Sequence, residues 1–189
     1  MNQTQDFTKG VIWKQLLFFF FPILIGSFFQ QLYNTVDTII VGQAVGTSAL
    51  AAVGSTGNLT NLIINFYVGL STGASVVIAQ YYGAQNNKKI HQAVHTSYSL
   101  AIVSGILMML FGLFFSYQCL DAIGTPHDIL NDATLYMQLY FLCMIPGAIY
   151  NIGAGILRAV GDSKRPLYYL IVCSIVNVVF DFIFVVIFH

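Results

Sequence analysis

The sequence predicts an all-α membrane protein, a bundle of five transmembrane helices, and three observations carry that prediction. First, 57% of its 189 residues are hydrophobic and only 7% are charged, against roughly 25% charged in an ordinary soluble domain. Second, five apolar runs each exceed the roughly 20 residues that cross about 30 Å of hydrocarbon as a helix. Third, an alternating path of five crossings puts every basic residue on one side: Lys9, Lys14, Lys88, Lys89, Arg158, Lys164 and Arg165. The loops on the other side, Gly42 to Ser48 and Tyr117 to Asp128, hold no Lys or Arg. This is the positive-inside bias, and it puts the N-terminus in the cytoplasm and makes the chain multi-pass.

The runs span residues 13–41, 49–82, 90–116, 129–160 and 167–188. Helices are required because backbone amides in lipid must find partners within the segment. A barrel would alternate apolar and polar residues, which runs such as Phe18-Phe19-Phe20-Phe21 exclude. In the first run, Pro22 removes an amide donor and is expected to bend the helix. Trp13 stands at its inner boundary, as do Tyr81-Tyr82 for the second run and Tyr168-Tyr169 for the fifth. The second run carries Gly69 and Gly73 in a GxxxG pattern, read as close helix packing. The inner turns are short and polar, Gly83 to Asn87 and Gly161 to Ser163. Asp128 is read as a cap for the fourth helix, and Pro166 as a first-turn proline of the fifth. Cys119, Cys143 and Cys173 lack CxxC spacing and read as free buried thiols.

Polar side chains inside these runs are the functional candidates, because polar groups in hydrocarbon are costly. The first helix carries Ser27, Gln30, Asn34 and Asp37 at spacings of three and four, hence on one face. The fifth repeats the pattern with Ser174, Asn177 and Asp181, and the second with Asn58, Asn61 and Asn65. The fourth offers Tyr140, Asn151 and, at its inner end, Arg158. Together these stripes suggest a shared, hydrated interior. At 1.5 Å per residue, Asp37 lies roughly 35 Å along its helix from Lys14, and Asp181 roughly 22 Å from Pro166. Both acids therefore fall in the outer half. Two carboxylates and a carboxamide in one desolvated pocket have the chemistry to hold a proton or a small hard cation. Taken singly, each acid reads equally well as a snorkelling or interhelical contact. The asparagines of the second helix read as interhelical hydrogen-bond glue as readily as cavity lining.

His91 and His95 stand four apart with no further ligand nearby, so a metal site is not expected. No nucleophile elbow, phosphate loop or dinucleotide fingerprint is present, and the basic residues form no stripe. Neither an enzyme nor a nucleic-acid partner is expected.

Several stretches resemble the N-terminal lobe of the multidrug and toxic compound extrusion (MATE) transporters. They are PILIGSFFQQLYNTVDTIIVG from Pro22, ALAAVG from Ala49, GLSTGASVVIAQYYG from Gly69, GILRAVGDSKRP from Gly155, and Asn177 with Asp181. The resemblance covers essentially the whole chain and implies a two-lobe, six-plus-six-helix antiporter of the cell membrane. This sequence would supply an incomplete first lobe, with the C-terminal lobe missing. It also implies that Asp37, Asn177 and Asp181 bind Na+ or H+ as coupling ion, with no cofactor, and that the bend at Pro22 changes with protonation. The cargo would be small organic, cationic compounds moved across the lipid bilayer. Two rivals stand beside this reading: a lipid-linked oligosaccharide flippase of the same superfamily, and a truncated membrane fragment that transports nothing.

Overall fold

The computed structural model describes residues 11–44 and 47–183, with the side chains at positions 33, 37, 41–44, 47–50 and 181 outside that description. All regular structure among the described residues is helical: α1 Ile12–Ala44, α2 Thr47–Gly83, α3 Asn87–Ala122, α4 His127–Leu142, α5 Met144–Ala159 and α6 Lys164–Asp181. α1, α2 and α3 each contain a stretch long and apolar enough to span a membrane. α4 and α5 together make a fourth, bent by 50°. α6 carries Lys164, Arg165 and Asp181 within its 18 residues.

The run 129–160 is therefore two helices, where the sequence suggested one. Proline explains the break. Pro146 has no amide hydrogen for the carbonyl of Leu142, four residues back, and its ring crowds that oxygen. α4 ends at Leu142 and α5 begins at Met144. Across the break the Cys143 amide donates to Tyr140 O at 3.1 Å, a tighter turn than the α-helix makes. α1, by contrast, continues through Pro22 without a break.

Two turns share one design. After α5, Gly161 takes φ +86°. Its amide donates to Arg158 O at 3.0 Å, and the Asp162 amide donates to Leu157 O at 2.9 Å. After α3, Gly124 at φ +81° and Thr125 repeat the pattern onto Asp121 and Leu120. This paired closure needs a left-handed residue that glycine adopts without a Cβ penalty. Asp162 then opens α6, its Oδ1 accepting from the Lys164 and Arg165 amides at 3.1 Å each. The Asp162 carboxylate is buried and also lies 3.1 Å from Arg165 Nε. Asp128 does not cap α4. Pro126 holds that position without a side-chain cap bond, and Asp128 sits inside the first turn, where its charge suits the helix dipole.

The packed core lies among α2, α3, α4 and α5, around Ile63, Tyr67, Ala101, Met137, Phe141, Ala148 and Ile152. α3 runs antiparallel to the α4–α5 pair: Gly112 meets Phe141, Gly105 meets Ile145, and Gly153 meets the Tyr98 hydroxyl. α2 runs parallel to α5. Ser71 Oγ donates to Asn151 O at 2.7 Å, and Gly155 abuts both Ser71 and Ser75. The small residues that bring helices together are thus Gly155 and its serine partners. Gly69 and Gly73 have no atom within 4 Å of where a Cβ would stand, so that face of α2 is open. α1 packs chiefly along α6, and this pair touches the four-helix block through α2 and α5. Large apolar side chains, among them Phe18, Leu62, Leu107 and Phe114, cover the outside. Such an apolar exterior suits lipid.

Candidate functional site

The seam between α1 and α6 starts at a glycine. A Cβ on Gly26 would stand 3.6 Å from Leu167 Cδ1 and 4.0 Å from Leu170 Cδ2, so the first two turns of α6 lie against the middle of α1. From Leu170 the α6 face continues through Ser174, which is buried and donates from Oγ to Leu170 O at 2.8 Å. One turn on is Asn177, half-buried, with its Oδ1 fully covered and without a hydrogen-bond partner. An uncompensated amide oxygen away from water costs about 1–3 kcal/mol. Native structures seldom retain one without a use for it.

Helical register relates backbone positions 37 and 181 to this contact. Position 37 stands eleven residues beyond Gly26, and position 181 eleven residues beyond Leu170. Eleven residues are just over three helical turns, so each position shares the face of the residue it is counted from. The Gly26 face of α1 and the Leu170 face of α6 meet at the seam. The side chains of Asp37 and Asp181 themselves lie outside the described residues.

The remaining candidates divide. Gln30 and Asn34 are exposed on α1, Asn34 lending its backbone carbonyl to Thr38 Oγ1 at 2.8 Å. Asn58, Asn61 and Asn65 are exposed on α2, about half a turn from the core residues Ile63 and Tyr67. No described hydrogen bond ties these three to another helix, so they form a polar stripe on an open face. Asn151 is half-buried in the α2–α5 contact, its Nδ2 donating to Gly147 O at 2.9 Å while its carbonyl takes Ser71. Its place is in the scaffold. Tyr140 is half-buried against the core. Pro22 is half-buried one turn before Gly26. Arg158 turns back on its own helix, Nε donating to Ala154 O at 3.1 Å.

Two polar roles went unread in the sequence. Gln138 Nε2 crosses from α4 to donate to Leu113 O of α3 at 3.1 Å. Buried Asp162 fixes the start of α6, the helix that carries Asn177. The signal for Asp162 was present in the acid placed two and three residues ahead of Lys164 and Arg165. A lone Gln138 carried none.

Comparison with known proteins gives this arrangement a setting. The MatE family profile matches residues 22–183. The chain belongs to the MatE family. Among curated MatE relatives, probable multidrug resistance protein YoeA of Bacillus subtilis (strain 168) is 31% identical over 175 residues, covering 93% of this chain and 38% of that protein. Probable multidrug resistance protein YpnP of the same strain is 28% identical over 184 residues, covering 97% of this chain and 41% of that one. A crystal structure of MATE in complex with MaD3S superposes with a TM-score of 0.84 at 29% identity, covering 90% of this chain and 38% of that chain. The MatE fold is thus shared over nearly all of this sequence, which spans about two-fifths of the length of these relatives.

Proposed function

We infer that this chain is the first-lobe portion of a secondary active exporter. That exporter would expel small organic, cationic compounds in exchange for inward Na+ or H+, which binds between α1 and α6. The observation that carries the reading is the buried, unpartnered Asn177 Oδ1 at the α1–α6 seam. A hard cation, or a proton held between carboxylates, is the kind of partner such an oxygen accepts. Register supports it. The first and fifth crossings of an alternating path run the same way, which sets positions 37 and 181 at one level, each roughly 16 Å past the Gly26–Leu170 contact. The exposed asparagine stripe on α2 suits a hydrated passage better than lipid.

Coupling requires the ion to favour one conformer over the other. The α1–α6 pair is the natural moving part, since it carries the site and is joined to the core block at its edge. A 100 mV potential contributes about 2.3 kcal/mol per charge, so exchange for one or two ions sustains only a modest gradient. The test is ion-driven efflux by the full-length transporter in sealed vesicles. Asp37→Asn and Asp181→Asn should each reduce coupled efflux at least tenfold while leaving the protein folded. Undiminished efflux in both would remove the site.

A further inference from the structure

A cleft of about 550 Å³ lies between α2 and α3, at the end where they are joined by the Gly83–Asn86 turn. Gly69 and Gly73 form its floor, open because neither has a neighbour where a Cβ would stand. Val77 and Leu100 line its apolar length. At its mouth stand Lys89, Gln92 and Thr96 on one face of α3, with no acidic residue in the lining. Lys89 Nζ lies 5.3 Å from the centre of the Tyr81 ring, across the cleft from its own helix. No described carboxylate pairs with it.

We propose that this cleft binds an anionic phospholipid, headgroup at Lys89 and one acyl chain lying along Gly73 and Gly69. Charge and length both select this occupant. The mouth offers an ammonium, an amide and a hydroxyl, all donors that a phosphate accepts from. From Lys89 to Leu100 the cleft runs roughly 16 Å, which is half of a 30 Å hydrocarbon core. An acyl chain entering beside a headgroup-level lysine would end near the midplane, where the apolar lining ends. The inference rests on the chain lying in a bilayer and not on the transport reading.

The test weighs lipid retention by the purified full chain, extracted in mild detergent from vesicles of equal phosphatidylglycerol and phosphatidylcholine and examined intact by mass spectrometry. No ion gradient is present, so the result is independent of efflux. Phosphatidylglycerol should be retained about fivefold over phosphatidylcholine, the preference expected of one lysine near the surface. Lys89→Gln, an exposed change, should bring the ratio near one. Gly73→Leu should lower phosphatidylglycerol retention by filling the floor. Lys164→Gln, a lysine outside the cleft, should leave the ratio unchanged. Equal retention in the parent, insensitivity to Lys89→Gln, or an equal loss in Lys164→Gln would overturn the proposal. So would a doubled mass that Gly73→Leu returns to a single chain, which would seat a second copy in the cleft instead.

Discussion

At Gly155 the space for a side chain is set by the facing helix. A Cβ there would overlap Ser71 Oγ and stand 2.7 Å from Ser75 Oγ and 3.1 Å from the Ser71 carbonyl oxygen. The hydroxyls can rotate away, but the carbonyl moves only with α2. Gly155→Ala should therefore destabilise the protein by about 1–3 kcal/mol, the usual range for overpacking. Gly69→Ala, in open space, should be neutral or stabilising by up to about 1 kcal/mol through helix propensity. Melting temperatures of the two purified variants decide this, and equal effects would refute it. Asn177 makes the opposite case. Asn177→Leu removes an orphan oxygen and should raise the melting temperature, while abolishing any further rise on adding Na+ or lowering pH. A persisting ion-dependent rise would exclude Asn177 from the ligand set. At this scale the sequence exposed polar stripes but not their partners. The sequence offers Asn151 and Asn177 alike as polar residues within apolar runs, yet one is tied into the α2–α5 contact and the other lacks a partner for its oxygen. Only the neighbouring helix distinguishes them.

Among the elements, apolar length made three spans and a bent fourth legible among the described residues, because the bilayer sets a minimum that few other structures need. Local interruptions were harder to read. Two prolines lie inside apolar runs, and their outcomes differ: α1 passes through Pro22, whereas the helix breaks three residues before Pro146. The difference is in what surrounds them. Pro146 is followed at once by Gly147, and a tightened turn at Cys143, whose amide donates to Tyr140 O, closes α4 just before it. Pro146→Ala restores a donor for Leu142 O and should straighten α4 into α5. Spin labels at positions 128 and 157 should then move apart by roughly 4 Å, the difference between a straight and a 50° bent rod of that length. An unchanged distance would place the cause of the bend in tertiary packing. The GxxxG pattern of α2 was misleading for a related reason. Small residues permit close approach, but here Gly69 and Gly73 face a cleft and the approach is made by Ser71 and Ser75, on another side of the same turns.

For the whole molecule, the distribution of basic residues makes a claim that accessibility can test. With Cys119, Cys143 and Cys173 replaced by alanine, single cysteines at Asn86 and at His127 should react with a membrane-impermeant maleimide from opposite sides in sealed cells. His127→Cys should label from outside, and Asn86→Cys only after permeabilisation. The reverse pattern would invert the orientation. Overall architecture was more legible than the site, because a lipid environment constrains helices by simple length and charge, while a binding site depends on pairs of side chains from distant helices. The contact between Ser71 and Asn151 shows what such distance entails. Its partners are 80 positions apart, and ribosomes add roughly 5–20 residues per second. The α2–α3 hairpin must therefore wait in the bilayer for several seconds before the strand of sequence that closes it has been made. Until then the Ser71 hydroxyl lacks the partner it holds in the folded protein.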